Sequence, residues 1–112
     1  MARMPDRLFI AKGDRPLYDK LVDESLLSNK TRREQFLLAM AVGFQHGLHR
    51  EFEQRDEFFF LKDLRPEDDA MMDAVALQHC KGDMDVLADR EKVIQIAQQY
   101  AHGGIKLLSD EY

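Results

Sequence analysis

Apolar residues fall along this chain in short groups whose spacing changes from one segment to the next, and that spacing predicts the elements. Residues 1–6 read as a loose, flexible tail. Arg7-Leu8-Phe9-Ile10-Ala11-Lys12 is a short extended segment, because Phe9 and Ile10 favour a strand, and Gly13-Asp14 breaks it. Pro16 suits a helical first turn, where its missing N–H is not needed. Leu17, Tyr18, Leu21, Val22 and Ser25 then share one helical face, which predicts a first helix over 16–26. Thr31 followed by Glu34 forms a capping box, in which the hydroxyl takes a free backbone N–H and the carboxylate reaches back. The helix it opens, 32–46, is apolar on nearly every side from Phe36 to Phe44, and Gly47 ends it as a left-handed cap. Such a rod must be covered all round, by its own chain or by a second copy.

Beyond Gly47 the pattern is less regular. Phe58-Phe59-Phe60-Leu61, flanked by charge, reads as a short buried strand or a loop anchored by aromatics. Pro66 opens a third helix with Glu67, Asp68 and Asp69 in its first turn, where acids complement the helix dipole. Its inner face is read as Met71, Ala74, Val75 and Gln78, and Gly82 ends it. Asp89 caps a fourth helix over 90–102 with Val93, Ile94, Ala97, Tyr100 and Ala101 inward. Gly103-Gly104 is expected to stop it, so that Ile105, Leu107 and Leu108 fold back on the core. The fold class is mainly α: about four helices, one or two short strands, and one small domain over 1–112.

Composition narrows the function classes. The 112 residues carry 16 Lys and Arg against 21 Asp and Glu, a net charge of −5. The charge is uneven: residues 1–55 hold ten basic and eight acidic side chains, residues 56–112 six and thirteen. The whole chain is too acidic for a generic nucleic-acid coat, although a local basic surface in the first half fits. The acidic second half is suited to docking a basic partner. The single cysteine, Cys80, forms no internal disulfide. No apolar signal core follows the start, and the longest apolar run spans nine residues, against about 20 for a membrane span. A cytoplasmic protein with no membrane contact is expected.

Few constellations carry chemistry. His46 and His49 are three apart, but Gly47 interrupts the helix between them, and His79 beside Cys80 diverges in direction; a metal is not expected. Glu67, Asp68, Asp69 and Asp73 occupy helix N-terminal turns, where acids stabilise without catalysing. No nucleophile elbow, phosphate-cradling glycine loop or dinucleotide fingerprint is present. A small hydrolase or nuclease built on His46, His49 or these acids is the weakest reading, so no catalytic residue and no cofactor is assigned. The order strand, helix, apolar helix is shared with ribbon–helix–helix dimers, in which two copies pair their strands and pack their second helices. That order makes the N-terminal half a candidate ribbon–helix–helix-like fold, and a transcriptional regulator a candidate function. Arg7 and Lys12 would lie on the ribbon. Lys30, Arg32 and Arg33 would stand at the start of the second helix, where a phosphate offsets their unfavourable position on the dipole.

Two segments carry a resemblance. One runs from Asn29-Lys30-Thr31-Arg32-Arg33 through Gly43-Phe44, and the other is Gln99-Tyr100-Ala101-His102-Gly103-Gly104-Ile105-Lys106-Leu107-Leu108. With Arg55-Asp56-Glu57 they resemble the small proteins associated with DNA phosphorothioation (Dnd) systems. The resemblance runs, with gaps, over most of residues 7–108. It implies a role in bacterial defence or DNA modification and supplies no catalytic residues. The expectation is therefore a non-enzymatic accessory protein of such a system, binding DNA or a DNA-processing partner. Arg7, Lys12, Lys30, Arg32 and Arg33 would contact nucleic acid, and a homo-oligomer would form through Phe36, Met40 and Phe44. The alternative is an adaptor whose acidic half (Asp63, Glu67, Asp68, Asp69, Asp73, Asp83, Asp85) docks a large enzyme of the same locus.

Overall fold

Thr31 does what its spacing from Glu34 predicts. Its hydroxyl accepts the Glu34 N–H while the Glu34 carboxylate accepts the Thr31 N–H at 3.0 Å. In this computed structural model, which describes residues 6–23 and 27–111, the box opens α2 (Arg32–Gln45). Around it lie β1 (Arg7–Ala11), α1 (Arg15–Asp23), β2 (Arg55–Phe60), α3 (Pro66–His79) and α4 (Arg90–Glu111), with short 3₁₀ turns at Leu61–Asp63 and Met84–Ala88. The architecture is mainly α, as the spacing implies. The expected end of the first helix, residues 24–26, and most of the expected tail, residues 1–5, lie outside the described residues.

Both predicted glycine stops before α4 are present. After α2, Gly47 adopts φ +66° and its N–H bonds to Phe44 O, while the Leu48 N–H bonds to Gly43 O at 2.7 Å. These two bonds are the Schellman closure of a helix. After α3 the same pair of bonds recurs, but the left-handed residue is Lys81 (φ +58°) and Gly82 follows it. The inner face of α3 is rotated from the expected one. Met72, Val75 and Ala76 are buried, whereas Met71 is 43% exposed and Ala74 and Gln78 face outward. The helix is apolar over most of its middle, so periodicity does not set its rotation. Buried Asp68, tied to Arg33 of α2, lies on the same inward side as Met72, Val75 and Ala76.

The expected stop at Gly103-Gly104 does not occur, and α4 continues to Glu111. The reason lies in its packing on α2. A Cβ on Gly104 would sit 1.8 Å from Ala39 O, one on Gly103 1.9 Å from Leu48 O, and one on Gly43 2.0 Å from Tyr100 O. The three glycines let the two backbones meet, and that contact offsets the cost of about 1 kcal/mol per mid-helix glycine. Ile105 and Leu108 are buried as members of this continuous helix rather than by folding back.

The same packing removes the need for a second copy to cover α2. Phe36, Ala39 and Met40 are completely buried within this chain, beneath α4 and β2, so Phe36 and Met40 offer no surface to a twin. Phe44 is half-buried, its ring edge-on to Tyr100 at 5.5 Å. The strand also finds its partner at home. β1 pairs antiparallel with β2, Arg7 opposite Phe60 and Ala11 opposite Arg55, with a bulge at Phe58. Its other edge is met by α4, where buried Gln98 accepts the Phe9 N–H at 2.8 Å. The strand–helix–helix order is thus present, but the ribbon is intramolecular. Two copies pairing β1 to β1 would have to displace Gln98.

Candidate functional site

The inward residues of the ribbon, Leu8, Ile10, Phe58 and Phe59, are core. Alternation places Arg7, Phe9, Arg55, Glu57 and Phe60 on its other face. There cations lie on rings: Arg7 Cζ is 3.9 Å from the Phe60 centroid, Lys62 Nζ 5.2 Å from the same ring, and Arg55 Cζ 4.3 Å from Phe9. Phe60 remains 43% exposed. The face is not purely basic, since Arg7 also pairs with Asp6 at 3.1 Å and Glu57 at 3.4 Å. At the bulge, Arg32 lies 4.9 Å and Arg15 5.8 Å from the Phe58 ring, and Arg15 donates to Glu57 O.

The five nucleic-acid candidates are therefore dispersed. Arg7 is on the ribbon face, and exposed Lys12 is in the turn that leaves β1. Lys30 is exposed ahead of α2, while Arg32 reaches Asp19 at 3.4 Å and Gln35 at 3.3 Å. Arg33 is not available: its guanidinium bonds Asp68 at 2.8 Å, with the two side chains only 14% and 6% exposed. Asp68 Oδ2 also takes the Arg65 N–H at 2.9 Å, capping α3. At the start of α2, a bound phosphate would meet the Glu34 carboxylate. Hydrogen bonds from the Thr31 N–H and hydroxyl hold that carboxyl below its ordinary value. The phosphate-binding arrangement expected there is largely filled by the protein's own carboxylates.

Of the acidic residues, Asp68 is buried and Asp69 is bonded to Arg90. Asp63, Glu67, Asp83 and Asp85 are exposed, as is Met84, which is 64% accessible between the last two.

Two clefts bring together residues that lie far apart in the sequence. One, about 410 Å³, separates the β1–α1 turn from the last turns of α4 and is lined by Lys12, Asp14, His102, Lys106, Ser109 and Asp110 among others. It holds a pair, buried Asp14 Oδ2 and partly buried His102 Nδ1, 2.7 Å apart. Burial pushes the Asp14 carboxyl above its ordinary value, and the His102 hydrogen bond and nearby positive charge offset only some of that rise. The second, about 340 Å³, is lined by His49, His79, Cys80, Lys92 and Gln99 among others. The rings of His49 and His79 stack at 4.3 Å; His79 Nδ1 meets Tyr100 Oη at 2.8 Å and His49 Nε2 meets Gln99 Oε1 at 2.5 Å. Burial, helped by His49 and Lys92, lowers the His79 pKa. His49 thus meets His79 rather than His46, which caps α2 in an exposed position. Among the described residues no group of three or more His, Cys, Asp or Glu has metal-holding geometry. No described helix is long and apolar enough to cross a membrane.

Sequence reasoning did not single out Phe9, Arg55, Phe60, Lys62, Asp14, His102 or Lys106 as site residues. The alternation Arg7-x-Phe9 was a usable signal for the ribbon face once Arg55 and Phe60 are known to pair opposite it. Asp14 and His102 carry no local signal, because 88 positions separate them. The sequence matches the family described as DNA sulphur modification system-associated protein 4 over residues 7–112. No curated protein and no solved structure matches it.

Proposed function

We propose, from the premise that this chain belongs to the DNA sulphur modification system-associated protein 4 family, that it is a non-enzymatic accessory protein of such a system. In this reading it engages DNA with the outer face of its ribbon. The observation that carries it is the placement of Arg7, Lys62 and Arg55 on the rings of Phe60 and Phe9. Guanidinium and ammonium groups neutralise phosphates, and ring faces accept bases or sugar edges, so this mixture suits a nucleic acid better than it suits a small neutral ligand. Lys30 and Arg32 add positive charge beyond the ribbon face, whereas Arg33 serves the fold. The acidic second half repels phosphate and so orients the molecule with its ribbon toward the DNA.

The test is a gel-shift titration of duplex and single-stranded DNA at several salt concentrations. Three phosphate contacts give a log–log slope of about −2 to −3. Reversing Arg7 and Arg55 to Glu should abolish the shift while leaving the thermal unfolding midpoint nearly unchanged. Undiminished binding by that double variant, or a salt-independent affinity, would remove the ribbon from the DNA contact.

A second reading is favoured by exposed Met71 and Met84 beside exposed acids of the second half. There the chain is an adaptor for a large enzyme of the same locus, docking a basic and apolar segment. Recovery of that enzyme in a pull-down, lost when Glu67, Asp83 and Asp85 are changed to Lys, would favour it over DNA contact.

A further inference from the structure

We infer that the cleft between the β1–α1 turn and the end of α4 binds a phosphate-type oxyanion, held by Lys12, Lys106 and His102, with Asp14 as the residue that positions His102. The site does not depend on the ribbon reading, since Lys106 and His102 belong to α4.

The argument begins with burial. Asp14 is 3% exposed yet carries a carboxyl group, and its described side-chain partner is His102. Desolvating a carboxylate is expensive unless a donor or cation meets it, so the pair is a fixed unit rather than an incidental surface contact. With Nδ1 committed to Asp14 and Phe52 packed edge-to-face with the ring at 5.3 Å, Nε2 is the imidazole's second polar atom. In its imidazolium form the ring donates Nδ1–H to Asp14 and Nε2–H to a ligand.

Charge comes next. Asp14 already faces His102, which leaves Lys12 and Lys106 on the cleft wall with Asp110 as the remaining acid of the lining. Lys20 of α1 is engaged elsewhere, donating to Ser109 O at 3.2 Å. Cations therefore meet at the cleft from the β1–α1 turn and from α4, in a molecule that is acidic overall. Gly13 contributes no side chain, and its φ of +98° gives the turn the curvature that places Lys12 and Asp14 on the same cleft. At about 410 Å³ the cleft has room for a tetrahedral oxyanion with several waters. Two ammonium groups with a carboxylate-oriented imidazole make a donor set suited to phosphate, which accepts through three or four oxygens.

The test is an NMR titration of the full chain with inorganic phosphate, following the His102 ring and the Gly13 amide, with chloride at matched ionic strength as the control. Saturable shifts at both positions are expected. Lys106→Glu should weaken binding at least tenfold, Lys12→Ala by a smaller factor, and the Arg7→Glu/Arg55→Glu variant should bind phosphate as the parent does. Both lysines are outside the core, so these variants keep the fold even where Asp14→Asn loses it. Short oligonucleotides with and without a 5′-phosphate then separate two sources of the ligand. A preference for the phosphorylated end points to a DNA terminus, and equal weak binding of both beside tight inorganic phosphate points to a free anion. No saturable shift, equal response to chloride, or unchanged affinity in Lys106→Glu would overturn the inference and leave Asp14–His102 as a brace between α1 and α4.

Discussion

The seam between α2 and α4 and the outer face of the ribbon are built on opposite terms. In the seam the backbones touch, Gly43 and Gly104 facing each other's helix with no space for a methyl group. On the ribbon, Phe60 and Arg55 are exposed, with Arg7 lying on the Phe60 ring and Arg55 on the Phe9 ring. A change in the seam has nowhere to relax, because its neighbours are main-chain atoms. A change on the ribbon face meets water and flexible side chains. The fold therefore resides in the first region, and recognition is free to reside in the second.

The sharpest way to break this contrast is to add methyl groups to the seam. Gly43→Ala with Gly104→Ala should cost about 5 kcal/mol or more, roughly the lower end of a small domain's total stability, and leave the chain largely unfolded in urea titrations. In an isolated helix the same exchanges would each gain about 1 kcal/mol. A stable, cooperatively folding double variant would show that the helices do not approach as described.

A smaller effect is expected at the Arg33–Asp68 pair, which joins α2 to α3 and resembles the ribbon in composition but the seam in burial. Arg33→Met leaves the buried Asp68 carboxylate with the Arg65 N–H as its remaining partner among the described residues, and should cost about 3 kcal/mol in denaturant titrations. Adding Asp68→Leu should recover some of that loss. DNA affinity should not change beyond the loss of folded protein, which separates Arg33 from the phosphate-contacting role its position in the sequence suggests.

The smallest effect on stability should come from Phe60→Ser. Its ring is 43% exposed, and its loss should cost below about 1 kcal/mol while weakening DNA binding severalfold. If stability drops as far as it does in the Arg33 variant, the ribbon face is structural and the contrast fails.

How far the sequence can be read follows the same division. Local signals were legible: the Thr31–Glu34 box, the Gly47 cap, Pro66 at the start of α3 and the inward residues of α4 from Val93 to Ala101 all have causes within four residues of themselves. The family resemblance of residues 29–44 and 99–108 was legible as well, and the first of those segments supplies the α2 side of the seam and the second the α4 side. Gly103-Gly104 misled because glycine has two meanings, a stop where the chain turns and a contact where two backbones meet, and the choice depends on Ala39 and Leu48. Arg33 looked free because Asp68 lies 35 positions away. The apolar α2 is compatible with cover from its own chain or from a second copy, and the contacts of α4 and β2 with α2 supply the first.

By itself the amino-acid sequence determined where helices begin, which residues are too apolar to remain in water, and how charge divides between the two halves. These follow from propensity, capping and hydrophobicity, which act over a few residues. Tertiary structure alone decided that β1 pairs with β2, that α4 runs through its glycines, and that Asp14 meets His102 and Arg33 meets Asp68. Each of those outcomes is a contact between distant positions, selected by close packing and by the cost of burying an unpaired charge, and no local pattern encodes it.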